Sequence, residues 1–173
     1  QAGGEYPVYL RGLPGAVETT EVILDVNQLA QANLVRGGDY YQVSNWSVSS
    51  GDNLLAFTED TLGRRQYTLR FRDLQSGEFL PDQITGVSSS IAWAQDNKTL
   101  FYVKLDPQTL LPYQVYRHVV GTPIETDQLV YEETDRSFST SVYTTRSKAY
   151  VVISLSSTDS SEIRLIDSLK PQR

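Results

Sequence analysis

Apolar and polar residues alternate with a period of two along much of the chain, most fully over Val43–Asp73. Alternation fills Val43–Val48 and Tyr67–Asp73, and a continuous apolar run fills Leu54–Thr58 between them. A Ser-Gly-Asp-Asn turn and a loop at Asp60–Arg65 separate the three segments. Period-two alternation bounded by Gly, Asp and Asn is typical of strands and hairpins, so this stretch predicts three consecutive antiparallel strands.

The same order of strands and turns recurs twice downstream. Equivalent apolar positions lie 45 to 46 residues apart, and then a further 48 to 50: Val48, Leu55, Phe57 and Leu69; Trp93, Leu100, Tyr102 and Val115; Tyr143, Tyr150, Val152 and Ile163. Glu78–Thr85 and Gln128–Glu132 each supply a fourth strand. A β-sandwich has no such internal repeat. Four antiparallel strands in roughly 45 to 50 residues are typical of a β-propeller blade.

Counting strands predicts an all-β fold that is an incomplete β-propeller arc of about three blades' worth, cut mid-blade at both ends. The predicted units are a half blade at 6–26, full blades at 43–85 and 89–132, and a three-strand blade at 139–167. A closed propeller needs roughly four to eight blades. Between the first two units, Asn27–Leu34 is expected to form a helical turn or two.

The composition of the chain argues against some classes of binding partner and bears on the cellular compartment. A formal net charge of −6 argues against nucleic acid and anionic membrane surfaces, because both need a basic footprint. The absence of cysteine excludes a disulfide framework and a thiolate zinc site, and it fits a cytoplasmic location. The chain has no methionine and opens on Gln1, so we expect a fragment of a longer protein.

The sequence contains few of the patterns that carry chemistry. No cofactor or metal motif is present, and no serine lies in a G-x-S-x-G elbow. His118, the single histidine, falls within a predicted strand and is interpreted as a structural histidine with a hydrogen-bond partner. Trp46 and Trp93 occupy similar places in successive strands; they could stack a ligand, but filling the core between blades is favoured.

The loops between the second and third strands of each blade differ most between repeats. In a propeller these B–C loops emerge on one face, and here they are Asp60–Arg65, Asp106–Pro112 and Ser156–Ser160. Their apolar tips suggest a contact face. Arg64 and Arg65 are the candidate contact residues, because an arginine fork binds carboxylates at two points. The alternative is that they are solvated charges beside Asp60.

Long segments resemble the propeller of the oligopeptidase B group of serine peptidases, in the prolyl oligopeptidase family. The resemblance runs from about Tyr6 to Asp167 and is most specific in RRQYTLRFRDL and DPQTLLPYQVYRH. It implies a seven-bladed propeller that caps an α/β-hydrolase domain, which carries a Ser-Asp-His triad and cleaves short peptides after Arg or Lys. The hydrolase domain is absent here, so no catalytic residue is transferred and the chain alone is expected to be inactive.

Arg64 and Arg65 would then contact either the hydrolase domain or a peptide carboxylate. The expected partners are the missing hydrolase domain, the remaining blades and, for the parent enzyme, short basic peptides. Unpaired strand edges also predict self-association of the chain. The alternative function is an independent propeller scaffold that binds other proteins.

Overall fold

A computed structural model describes residues 5–13, 15 and 20–172 of the chain. One α-helix, α1, spans Val26–Val35, and a single 3-10 turn spans Ile124–Thr126 among the described residues. The strands are β1 (Val8–Arg11), β2 (Glu21–Asp25), β3 (Gln42–Val48), β4 (Leu54–Asp60), β5 (Tyr67–Asp73), β6 (Phe79–Trp93), β7 (Thr99–Leu105), β8 (Pro112–Val119), β9 (Gln128–Glu132), β10 (Ser139–Thr144), β11 (Tyr150–Ser156) and β12 (Ser161–Asp167).

All the strand pairs are antiparallel and join neighbours in sequence, which confirms the predicted all-β arc of meandering strands. Most predicted strand ends agree with the structure to within two residues. The sequence also predicts a Gly- and Pro-containing loop at 11–20 and a frayed end at residues 1–4; part of the first and all of the second lie outside the described residues.

Strand β6 runs without a break across the predicted boundary between the two full blades. Its first half pairs with β5 and its second half pairs with β7, so two predicted units form one seven-stranded sheet from β3 to β9. Gly86 lies at the change of partner with a φ of +67°, a conformation that glycine adopts without the clash of a Cβ atom. The chain therefore crosses between units without leaving the strand.

We define four units: β1–β2; β3–β5 with the first half of β6; the second half of β6 with β7–β9; and β10–β12. A hydrophobic cluster separates each pair of neighbours, as expected for stacked blades. The first contains Ile23, Leu24, Leu55 and Phe57; the second Ala56, Phe71, Trp93 and Tyr102; the third Phe101, Val103, Val142 and Ile153.

Strand β7 explains the continuous apolar runs in the sequence. Leu100 and Tyr102 face the second cluster, whereas Phe101 and Val103 face the third. All four side chains are buried because adjacent residues of a strand point to opposite faces and both faces are covered.

Helix α1 connects the first two units and is longer than the predicted turn or two. Asp25 caps it by accepting hydrogen bonds from the amides of Asn27 and Gln28. The Asn27 side chain also bonds the amide and the carbonyl of Tyr6, at 3.0 and 2.8 Å. These bonds attach the start of the helix to the first unit. No described helix has the length and apolar character needed to cross a membrane.

The last unit has an uncovered apolar face. Tyr143, Tyr150, Ile163 and Leu165 share one side of the sheet and are each 44–59% exposed. Strand β12 is an edge of its three-stranded sheet, so one row of its backbone groups has no partner strand among the described residues.

Candidate contact face

The loop Asp60–Arg65 is held by a single buried carboxylate at the end of β4. Asp60 is 1% exposed and accepts hydrogen bonds from the amides of Leu62 and Gly63, both at 2.9 Å, and of Arg65 at 2.8 Å. Gly63 and Arg65 have φ values of +70° and +56°. A three-amide cap offsets the cost of a non-glycine residue in the left-handed region.

The two arginines that the sequence singled out lie at the tip of this ordered loop. Arg64 and Arg65 are both exposed. Within the described residues neither forms an ion pair. Asp60 forms no ion pair with either arginine, and its oxygens accept from backbone amides. Two free guanidinium groups on a fixed backbone suit the recognition of a carboxylate.

Apolar side chains adjoin the arginine pair. The Tyr40 ring lies about 3.5 Å from where a Cβ on Gly63 would stand, so it packs on the loop. Leu62 at the loop tip is 65% exposed. Since large apolar side chains this exposed are typical of contact surfaces, the cluster adds hydrophobic area to a basic site.

The second B–C loop, Asp106–Pro112, is built in the same way but carries no free arginine. Asp106 accepts from the amides of Gln108 and Thr109, both at 2.9 Å. These bonds, the Thr109 amide first, hold the pKa of Asp106 below its ordinary value. Arg136 pairs with Asp106 at 3.2 Å, so this loop is joined to the crossing that leads to the last unit.

Turn contacts at the opposite ends of the strands place equivalent turns of neighbouring units side by side. The Gly51 amide donates to Asn97 Oδ1 at 2.7 Å, and Asn97 Nδ2 donates to Asn53 Oδ1 at 2.7 Å. Because antiparallel strands alternate in direction, this arrangement brings the B–C loops out together on the other side. We name the loops Asp60–Arg65, Asp106–Pro112 and Ser156–Ser160 the contact face.

A buried acidic and basic network beneath the contact face was not anticipated from the sequence. Tyr41 donates to Glu59 at 2.5 Å, and Arg70 pairs with Glu59 at 3.3 Å. The Arg70 guanidinium also lies 4.9 Å from the centre of the Phe79 ring. Burial, and then the negative charge of Glu59, raise the pKa of Tyr41 far above its ordinary value. Tyr41 therefore remains a proton donor here.

His118 has hydrogen-bond partners, which confirms the structural interpretation. Its Nδ1 lies 2.7 Å from Asp127 and its Nε2 lies 3.1 Å from Asp82. The imidazole is fully buried, and both ring nitrogens are occupied by carboxylates, so no serine is placed for activation. Residues 36 and 9 positions away supply these partners, and no local pattern marks them.

The two tryptophans do not form a ligand-stacking row. Trp93 is 3% exposed, meets the Phe71 ring edge-on at 6.1 Å and donates from Nε1 to the Ser47 carbonyl at 3.0 Å. Trp46 packs against Tyr9 with ring centroids 4.9 Å apart. The favoured interpretation, that they fill the core between blades, is confirmed. Among the described residues, no cluster of acidic and histidine side chains has the geometry of a metal site.

The meandering antiparallel strands and the hydrophobic clusters between the units together define the chain as an arc of a β-propeller. A family model described as "Prolyl oligopeptidase, N-terminal beta-propeller domain" matches residues 1–173. The chain belongs to this family and is part of the N-terminal propeller of a prolyl oligopeptidase-family peptidase.

Known relatives agree with this assignment. The chain is 41% identical to "Dipeptidyl aminopeptidase BI" of Pseudoxanthomonas mexicana and 31% identical to "Protease 2" of Moraxella lacunata, over 98% and 96% of its length. It superposes on oligopeptidase B from Leishmania major with a TM-score of 0.82 and 32% identity over 94% of the chain. For oligopeptidase B from Trypanosoma brucei the TM-score is 0.77 and the sequence identity is 26% over 92% of the chain.

The alignments cover only part of each relative. The chain spans 25% and 24% of the two curated proteins, and 22% and 21% of the two solved chains. About three quarters of a related protein thus has no counterpart in the chain.

Proposed function

We propose that the chain is the lid segment of an oligopeptidase B-like serine endopeptidase that hydrolyses short peptides after Arg or Lys in the cytoplasm. The observation that carries the proposal is the similarity to oligopeptidase B, at a TM-score of 0.82 over 94% of the chain. In this proposal the propeller restricts access to an α/β-hydrolase domain elsewhere in the protein. The chain itself supplies no Ser-Asp-His triad and is inactive alone.

The test uses the full-length protein that contains this chain. Fluorogenic amides with Arg, Lys or Pro before the cleaved bond report specificity. The rate of cleavage of a ten-residue peptide, compared with that of the same sequence inside a folded protein, tests whether the propeller excludes folded substrates. We expect cleavage after Arg and Lys of the short peptide only. Equal cleavage of the folded protein contradicts the lid role, and turnover by the purified 173-residue chain contradicts its inactivity.

A second candidate is a peptidase that removes dipeptides from a free amino terminus. It is favoured by the 41% identity to a protein named "Dipeptidyl aminopeptidase BI". Substrates with the same residue before the cleaved bond, offered with free and with acetylated amino termini, separate the two activities. An endopeptidase accepts both substrates, whereas a dipeptidyl aminopeptidase rejects the acetylated one. If neither is hydrolysed by the full-length protein, the alternative of a protein-binding scaffold is favoured.

Arg64 and Arg65 are proposed to contact the hydrolase domain or a peptide carboxylate across the contact face. Both are exposed and free of ion pairs within the described residues, and the Asp60 cap orders their backbone. We expect R64E/R65E to change kcat/KM for peptides or the balance of open and closed forms. The matched control is R146E/K148E, which reverses two exposed charges in a turn at the opposite ends of the strands. Equal effects of both variants refute the assignment.

Self-association is proposed for the chain in isolation, with a second copy covering the last unit. The apolar face of β10–β12 and the free edge at β12 are the surfaces that support it. Light scattering over a concentration series should show dimers or larger species. I163K/L165K should reduce them, because it places two charges on that face. A monomer at high concentration contradicts the proposal.

A further inference from the structure

A buried carboxylate–imidazole–carboxylate triplet crosses the boundary between the second and third units. Asp82 lies in the first half of β6, His118 lies in β8, and Asp127 follows the 3-10 turn. The side chains of the three residues are 5%, 0% and 4% exposed. The contacts at 3.1 and 2.7 Å therefore connect the outer strand of one unit with two segments of the next.

The geometry specifies the charge of the imidazole. Both ring nitrogens face carboxylate oxygens, and a neutral imidazole carries only one N–H. Only the imidazolium form donates to both Asp82 and Asp127. With the neutral ring, a lone pair of one nitrogen would face a buried carboxylate, which is costly because water cannot reach it.

Further donors complete the site around the two carboxylates. The Gly121 amide donates to Asp82 at 2.6 Å, and the Tyr102 hydroxyl donates to Asp127 at 2.8 Å. These bonds hold the carboxylates in place whether or not His118 is charged. The ionic contact between units therefore depends on the proton of the His118 imidazolium, which is lost as the pH rises.

The surrounding elements add few other charges. Strand β5 presents the Phe71 ring, with its centroid 5.5 Å from that of His118. Strand β7 presents Tyr102 and Lys104, and the charge of Asp127 acts on both. Tyr116, on the same strand as His118, stacks on Tyr102 at 5.7 Å. No second acidic pair competes for the imidazole among the described residues, so its protonation depends on Asp82 and Asp127.

We propose that Asp82, His118 and Asp127 form a proton-dependent clamp that fastens the outer strand of one blade to the next blade and releases it when His118 loses its proton. The clamp does not depend on peptidase activity. The clamp thus remains testable whichever function the protein has.

The direction of the pH response follows from the folded state. Burial alone would lower the pKa of His118, but hydrogen bonds to Asp127 and Asp82 and attraction by their charges outweigh it and raise the pKa above its ordinary value. A group whose pKa is raised on folding stabilises the fold fully below its ordinary pKa of about 6.5. That stabilisation is lost as the pH rises through the folded-state pKa.

Hydrogen–deuterium exchange of the full-length protein, resolved by mass spectrometry between about pH 6 and 9, measures this release. After correction for intrinsic amide rates, opening of residues 79–87 and 112–128 should increase by up to about tenfold per pH unit above about 6.5, then level off. Residues 139–167, which contain no histidine, serve as the internal reference and should show no such increase.

Variants assign the pH response to the clamp. D127N allows a neutral imidazole to donate to Asp82 and to accept from the new amide, while the remaining side-chain oxygen still accepts from Tyr102, so the increase with pH should disappear. D159N, which changes an exposed loop aspartate in the last unit, should retain it. A parallel increase in all blades, or an increase that persists in D127N, overturns the proposal.

A second measurement requires no variant. The pH dependence of deuterium exchange at the His118 Cε1–H in the wild-type protein reports its pKa. A midpoint above about 6.5 supports the clamp, and a midpoint below it overturns the clamp.

Discussion

Replacing Asp60 with alanine tests whether the contact loop depends on one buried carboxylate. The side chain accepts three amide hydrogen bonds, from Leu62, Gly63 and Arg65, at 2.8–2.9 Å. A hydrogen bond contributes about 1 kcal/mol net to stability, and more when one partner is charged. We use the lower figure for each bond because the loop adjoins water, which can solvate the released amides. D60A should therefore lower the free energy of unfolding by about 3 kcal/mol.

Replacing Asp60 with asparagine separates the contribution of one hydrogen bond from that of the other two. Its single side-chain oxygen can still accept from Leu62 and Gly63, but its amide group cannot accept from Arg65. D60N should therefore cost about 1 kcal/mol, roughly a third of the alanine effect. D159A serves as the control, since it removes an exposed loop aspartate and should change stability by less than about 0.5 kcal/mol.

Urea unfolding of the 173-residue chain at low protein concentration, followed by tryptophan fluorescence, gives these differences. A free energy of unfolding for D60A within about 0.5 kcal/mol of the parent would contradict the role of the cap, because water would then replace the carboxylate without loss. The result also bears on the arginines. If Arg64 and Arg65 act through an ordered loop, D60A in the full-length protein should reproduce the kinetic effect of R64E/R65E while leaving both charges in place.

Two further predictions concern the core and the response to acid. W93F removes the indole N–H that donates to the Ser47 carbonyl and should cost about 1–3 kcal/mol in urea unfolding; a change below about 0.5 kcal/mol would contradict the role of this bond between units. The Ser76 amide holds the pKa of Asp73 below its ordinary value, and the Thr109 amide does the same for Asp106. Both carboxylates therefore stabilise the fold above about pH 4, and this stabilisation is lost as the pH falls through the folded-state pKa. A D73N/D106N variant should show a shallower loss of stability in acid, measured by thermal unfolding between about pH 2 and 6.

The sequence predicted the elements that local pattern controls. The continuous apolar run Leu54–Thr58 became a strand buried on both faces, because Leu55 and Phe57 meet one core and Ala56 meets the next. At Gly86 the same reasoning failed. A glycine after a strand normally predicts a break, whereas here it only redirects β6 from one partner strand to the next. Local rules do not contain the information on which neighbour a strand pairs with.

The parts of the site that join distant residues were not predictable. The loop Asp60–Arg65 was recognised from its composition. Its cap could not be predicted, because the sequence does not show that the Asp60 side chain turns inward and accepts from the loop amides. His118 was correctly interpreted as structural, yet nothing near it indicates Asp82, which lies 36 residues earlier in the chain. A buried ionic contact between units is a property of the stacked blades and appears only after they are packed.

Each boundary between units combines an apolar cluster with directional polar contacts, and the two have different effects. Apolar faces favour stacking but tolerate sliding, because burial is not directional. Hydrogen bonds fix the relative position: Arg72 donates to the Ile23 carbonyl at 2.8 Å at the first boundary, His118 spans the second, and Ser90 donates to the Val142 carbonyl at 2.8 Å at the third. If these contacts set the alignment of neighbouring blades, they also set the alignment of the loops on the contact face. Loss of the His118 clamp should then move the contact loops of two adjacent units relative to each other without unfolding either one.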